Sequence, residues 1–181
     1  MALTAALTPF LIPTRGLIIN ISSISALLPY VFGSVYASSK AALESYSRTL
    51  RAELYPFGVR VMVVMAGAVR SRMVEKAQGY EGLREESMYA PVRHLFERRL
   101  GFSQRAEAGP METDVFAEKL VDAALREEVS VWWRRWFGRP DWWFEGGMAR
   151  LVYWGSWLGE WALDLGARWK FGMREFHNAK Y

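Results

Sequence analysis

An α/β fold built on a parallel sheet is the architecture that this sequence predicts, and three observations carry it. Two short apolar runs, residues 16–22 and 59–65, have the length and composition of strands buried in a sheet. A helical pattern over residues 34–55 joins them. The order strand, helix, strand is that of a right-handed crossover unit, which makes the two strands parallel. With 181 residues, 51% hydrophobic and 23% charged, the chain suffices for one ordinary core and is globular in composition.

Each element has its own signals. Residues 1–13 are mostly apolar, with no charge before Arg15. They lack the basic start and small-residue cleavage site of a signal peptide, and no uncharged apolar run approaches the ~20 residues of a spanning helix. The first strand follows a Pro-Thr-Arg turn, and the helix at 34–55 gathers Leu43, Tyr46, Leu50 and Leu54 near one face. Pro56-Phe57-Gly58 stops that helix, and Ala66-Gly67 ends the second strand. A charged, helical middle zone follows. Residues 87–100 carry Met88, Val92, Leu95 and Phe96 on an inner face, and residues 101–110 form a loop. Residues 113–128 open with Thr113 as a candidate N-cap and bring Phe116, Leu120, Ala123 and Ala124 together. A third short strand is expected near residues 129–133. Residues 131–181 hold all nine tryptophans, and Leu151, Trp154, Leu158, Trp161, Leu165 and Trp169 recur as a helical stripe. Core packing and anchoring at a membrane interface explain that stripe equally well. Glu160, Asp164, Arg168 and Lys170 interrupt it before it can span a bilayer.

Composition excludes several function classes. Without cysteine there is no disulfide framework, zinc finger or thiol nucleophile. His94 and His177 are too few for a metal site, so none is expected. The net charge of +4 comes mainly from arginine and suits an anionic ligand or a membrane surface. No nucleic-acid partner is expected, because the arginines near Trp132 belong to no recognisable binding fold.

Chemistry concentrates in one crossover unit. Tyr36 and Lys40, four residues apart, share a helix face. An ammonium beside a phenol favours the phenolate, so Lys40 is expected to lower the pKa of Tyr36 towards acid–base use. Ser23 stands thirteen residues before Tyr36, at the end of the first strand, where its hydroxyl can hold a carbonyl oxygen. Alone, the Tyr–Lys pair reads equally well as a surface contact. The serine, the spacing and the Ala-Gly after the second strand weigh for catalysis. Asn20 reads as a structural residue at the strand end.

The runs Gly-Leu-Ile-Ile-Asn-Ile-Ser-Ser (16–23), Val-Tyr-Ala-Ser-Ser-Lys-Ala-Ala-Leu (35–43) and Val-Met-Ala-Gly-Ala-Val-Arg-Ser (64–71) resemble the short-chain dehydrogenase/reductase family. The resemblance implies that Ser23 polarises a carbonyl, Tyr36 donates the proton, and Lys40 lowers the Tyr36 pKa and binds the nicotinamide ribose. It also implies that Tyr36, Lys40, Val69 and Ser71 contact the cofactor, NADP in its reduced form NADPH. Ala66-Gly67 and Ser71 stand where the family usually has Pro-Gly and Thr. Residues 87–91, 113–121 and the aromatic tail around Trp154-Gly155 look similar to the fungal 1-acyldihydroxyacetone-phosphate reductase subgroup. That likeness implies an NADP-dependent oxidoreductase acting on a small-molecule or lipid-linked ketone at the endoplasmic reticulum or lipid droplets, otherwise in the cytoplasm, with peripheral membrane association and self-association as partners.

The family's Gly-x-x-x-Gly-x-Gly turn, its Asn-Asn-Ala-Gly element and its helix asparagine have no counterpart before Ser23. The expected organisation is therefore the C-terminal half of a Rossmann-like reductase domain over 1–130, a partial doubly wound sheet lacking its N-terminal strands. A Trp-rich helical tail over 131–181 completes it. A non-catalytic remnant, acting as a membrane-associated or interaction module, is the alternative.

Overall fold

The two apolar runs become neighbouring parallel strands, in a computed structural model that describes residues 1–72, 82–127 and 138–173. The described elements are α1 (Ala2–Thr14), β1 (Leu17–Ser23), α2 (Ser34–Leu54), β2 (Arg60–Ala66), α3 (Arg93–Arg99), α4 (Thr113–Leu125), β3 (Trp142–Glu145), α5 (Ala149–Ser156) and α6 (Glu160–Lys170). The sheet runs β1-β2-β3, all parallel. Leu17 stands opposite Arg60 and Ser23 opposite Ala66, while Val63 stands opposite Trp142 and Ala66 opposite Glu145.

β2 is central, which explains its unbroken apolar sequence. Residues 61–65 are all buried, because both faces of the strand are covered. Val61 packs with Leu50 and Leu54 of α2 and with Leu11 and Ile12 of α1. Val63 and Met65 meet Ala149 and Val152 of α5. Met62 and Val64 turn the other way, onto Phe116, Ala123 and Ala124 of α4. Helices on both faces of a parallel sheet make a three-layer α/β arrangement. Arg51 of α2 ties the layers together: its Nε donates to the carbonyl of Val61 and its Nη2 to that of Asp141, each at 2.9 Å.

β1 differs from expectation. Ser22 faces α2, but Ile19 and Ile21 are exposed on the opposite face. Among the described residues β1 pairs with β2 alone. Among the described residues the strand thus has the open edge expected of a sheet without its N-terminal strands, and the departure is its uncovered face of Ile19 and Ile21, where burial was expected.

Other departures have local causes. Helix α1 escaped the sequence reading because Pro9 and Pro13 lie inside it and no capping side chain marks its start. The helix expected over 87–100 is shorter. Pro91 opens a 3₁₀ turn at Ala90–Val92, the α-helix begins only at Arg93, and Met88 is exposed. Thr113 is no N-cap: its hydroxyl donates to the carbonyl of Arg70, and Glu112 occupies the cap position. The strand expected near 129–133, Trp132, Trp133, Trp136 and the expected boundary at 130/131 lie outside the described residues. A third strand is found at Trp142–Glu145. The tryptophan stripe belongs to two helices, separated at Gly159 with φ +95°.

Behind β2 the chain approaches itself closely. A Cβ on Gly67 would lie 2.1 Å from the carbonyl oxygen of Gly147, and one on Gly147 would lie 2.1 Å from that of Ala108. Only glycine allows these backbones to meet.

Candidate functional site

The residues with chemistry gather at the C-terminal ends of the parallel strands, where open α/β sheets bind ligands. Ser23 ends β1 in extended conformation, and its Oγ accepts a hydrogen bond from the amide of Ser25 at 3.2 Å. Lys40, in the second turn of α2, donates through Nζ to the carbonyl of Ile21 at 3.1 Å. In return Ser22 Oγ donates to the carbonyl of Lys40 at 3.1 Å. Further along, Asn20 Nδ2 donates to Ser47 Oγ at 2.8 Å, and that hydroxyl donates to Leu43. The Asn20 and Ser22 side chains of β1, with the Lys40 ammonium, thus fix α2 in register along the strand. Asn20 is structural, as its place in the strand indicates.

Tyr36 lies in the first turn of α2 and is 37% exposed. The Lys40 ammonium sits 5.7 Å from its ring centroid. On the other side the Tyr30 ring lies 5.5 Å away, tilted by 45°. Gly33 allows that ring its place, since a Cβ there would come within 2.1 Å of Tyr30 Cδ1. Arg99 covers Tyr30, with its guanidinium carbon 3.4 Å from the ring centroid. Burial pushes the Tyr30 phenol above its ordinary range, while the charge of Arg99 opposes this. Burial also pulls the Arg99 guanidinium below its usual value, and Tyr30 counters part of that.

Tyr30 forms part of the wall of an open groove of about 810 Å³. Residues 25–32, Ala37 and Ala41 of α2, Phe96 of α3 and Leu163 of α6 line it. Ser23, Tyr36 and Lys40 do not line the groove. They adjoin it through Ser25 and Tyr30.

Val69 and Ser71 follow β2 on the strand-end side. One side chain clamps both: Gln104 Nε2 donates to the carbonyl of Val69 at 2.9 Å, and its Oε1 accepts from the amide of Ser71 at 3.1 Å. Met111 exchanges backbone hydrogen bonds with Ala68 and Arg70, and Arg70 pairs with Glu112 at 2.8 Å. Tyr30, Arg99 and Gln104 were not legible in the sequence, because no motif marks them and their partners are distant in the chain. Among the described residues no cluster of His, Cys, Asp and Glu could hold a metal ion.

A family model described as short chain dehydrogenase matches residues 1–81. A short-chain dehydrogenase of Pyricularia oryzae is 33% identical over 148 residues, covering 80% of this chain and 49% of that protein. The NADPH-dependent 1-acyldihydroxyacetone phosphate reductase of Schizosaccharomyces pombe is 34% identical over 154 residues, 82% of this chain and 46% of that protein. Among solved structures, a short-chain dehydrogenase from Streptomyces avermitilis superposes with a TM-score of 0.63 at 27% identity, covering 94% of this chain and 56% of the other. The chain spans about half the length of the curated relatives it matches.

Proposed function

The chain belongs to the short-chain dehydrogenase family, and from that premise we propose that it serves the reduction of a lipid-linked ketone by NADPH through Ser23, Tyr36 and Lys40. One observation carries the reading: Lys40, a turn beyond Tyr36, ties its ammonium to the backbone two residues before Ser23. That bond holds the helix that carries Tyr36 and Lys40 against the strand that ends at Ser23. In this reading the Ser23 hydroxyl donates a hydrogen bond to the ketone oxygen. The Tyr36 hydroxyl gives that oxygen its proton and is left as a phenolate, and Lys40 positions the phenol and sets its positive charge beside the phenolate. NADPH, when bound, supplies the hydride to the carbonyl carbon.

The residues present suit the nicotinamide end of that cofactor. Residues 69–71 offer one carbonyl acceptor and one amide donor, spaced so that the primary carboxamide of Gln104 now satisfies both. Nicotinamide carries the same functional group. Lys40 has three N–H donors, of which Ile21 takes one, leaving donors for ribose hydroxyls. Tyr36, Lys40, Val69 and Ser71 are therefore the residues that would hold it. The S. pombe relative's name supports both the nucleotide and the ketone. The test is consumption of NADPH, against NADH, by the chain with 1-acyldihydroxyacetone phosphate. Folded protein that consumes neither nucleotide would refute the reading.

A second reading rests on the outer face of α5 and α6. Trp154, Trp157, Trp161 and Trp169 are 62–76% exposed, and Leu151, Leu158 and Leu165 lie among them. An apolar patch of this kind marks a contact surface, and tryptophan favours the bilayer interface. Arg150 of α5 and Arg168 and Lys170 of α6 supply positive charge on the same helices, two of them shared with Glu145 and Asp164 in ion pairs of 3.4 and 4.0 Å, and a cation near the headgroups attracts anionic lipid. Among the described residues no helix is long and apolar enough to cross a membrane. The proposal is therefore monotopic seating on endoplasmic-reticulum or lipid-droplet surfaces, with or without catalysis. The chain should float with anionic liposomes, and Trp154→Ser/Trp161→Ser/Trp169→Ser should partition roughly tenfold less, the factor given by about 1.4 kcal/mol. Equal flotation of both proteins would exclude it.

A further inference from the structure

Arg99 ends α3 and is only 7% exposed. Its guanidinium carbon lies 3.4 Å from the ring centroid of Tyr30, 5.0 Å from that of Phe171 and 5.9 Å from that of Phe102. Ring faces attract the charge but give its N–H groups no lone pair of oxygen or nitrogen to bond. Nε and Nη2 are both buried without a hydrogen-bond partner. Among the described residues no carboxylate forms an ion pair with this guanidinium. A desolvated cation without a counter-ion is costly. The two unpartnered atoms share one edge of the guanidinium, where their N–H bonds run parallel. That edge grips two oxygens of one phosphate or carboxylate.

Tyr30 connects this edge to the chemistry. The same ring stacks under Arg99, lies 5.5 Å from the Tyr36 ring and lines the groove. Leu27, Leu28, Val31 and Leu163 make much of the adjoining groove wall apolar, while Glu160 and Asp164 put two carboxylates at its α6 side, so the phosphate is held at the Arg99 end and the acyl chain lies along the groove. Three complementary features therefore adjoin the Tyr30 ring: a phenol for a carbonyl, a largely apolar trough for a hydrocarbon chain and, behind the ring and outside the groove's lining, a cation with no carboxylate partner among the described residues. We propose that Arg99 is the anion anchor of the substrate site, binding the phosphate ester of an acylated keto-phosphate whose carbonyl faces Tyr36. The substrate's identity rests on the reductase reading above; the anion site rests on the surroundings of Arg99 itself. Because the rings cover the guanidinium, the ligand reaches it by displacing one of them, and the two free N–H groups then bond the phosphate oxygens.

The test is side-chain NMR of the whole chain with ¹⁵N-labelled arginine. Dihydroxyacetone phosphate should shift the Arg99 Nε–H resonance to saturation, inorganic phosphate should do so more weakly, and dihydroxyacetone should leave it in place. Arg99→Gln should weaken dihydroxyacetone phosphate binding about 10- to 100-fold, the loss of hydrogen bonds to a charged group. Arg99→Lys, which keeps the charge and loses the fork, should fall between. If the variants fail to fold, the titration of the unmodified chain decides alone. An unmoved resonance with both phosphates, or an equal shift with dihydroxyacetone, overturns the proposal. A responding Arg99 in a protein that consumes no NADPH upholds the anion site and refutes the reductase reading. A silent Arg99 in a protein that reduces the ketone refutes the anchor alone.

Discussion

Replacing Tyr36 by phenylalanine is expected to lower ketone reduction by about 10²–10⁴-fold, the usual loss for a positioned acid. The substitution deletes one oxygen and keeps the ring. The contacts at 5.5 Å to Tyr30 and 5.7 Å to Lys40 involve the ring and persist. A partly exposed side chain in a first helical turn contributes little to the core, so stability should change by no more than about 0.5 kcal/mol. Lys40→Ala differs, because it also breaks the bond that holds α2 to Ile21. It should weaken both turnover and nucleotide binding. Rate and melting temperature measured on the same preparations separate the two effects. A Tyr36→Phe protein that retains its rate would remove the phenol from the chemistry.

The second large effect concerns the fold. Gly67→Ala should destabilise the chain by about 3 kcal/mol, at the upper end of overpacking costs. Its new methyl would meet the Gly147 carbonyl oxygen at 2.1 Å, with further atoms of Gly146 at 2.9 and 3.0 Å. These are backbone atoms, so no side chain can swing aside. The strain would fall on β2, on β3 and on the segment bearing Val69 and Ser71. For a domain of this size the expected fall in Tm is about 6–12 °C. Gly166→Ala is the control: its Cβ meets nothing within 4 Å, and alanine in a helix is favoured over glycine by about 1 kcal/mol. An equal Tm for both variants would contradict the close approach.

What the sequence revealed depended on range. The crossover unit was legible because its signals are local: two apolar runs, one helical period and a Pro-Phe-Gly stop. Gly58, at φ +71°, supplies that stop as the pattern required. The spacing of Ser23, Tyr36 and Lys40 was legible for the same reason, since all three belong to one unit. β3 was not, because four residues of Trp-Trp-Phe-Glu cannot be told from the aromatic segments around them by period. Nor was the exposure of the tryptophan stripe, which depends on how α5 and α6 turn towards Ala149, Val152 and Ala167. Tyr30, Arg99 and Gln104 stayed hidden because tertiary packing creates their environments. Gln104 reaches across 35 positions of sequence to Val69.

The placement of β3 also has a temporal consequence. Val63 stands beside Trp142, so this strand pair closes a loop of about 80 residues. Ile18 and Val61 close one about half as long, and half of that shorter loop is the helix α2. Pairings distant in sequence are the slow steps of folding. The β1–α2–β2 unit should therefore assemble first, with Ser23, Tyr36 and Lys40 already in place. β3 then docks, bringing Gly147 against Gly67. The half of the site proposed to bind the carbonyl matures early, and the half after β2 waits for the last strand.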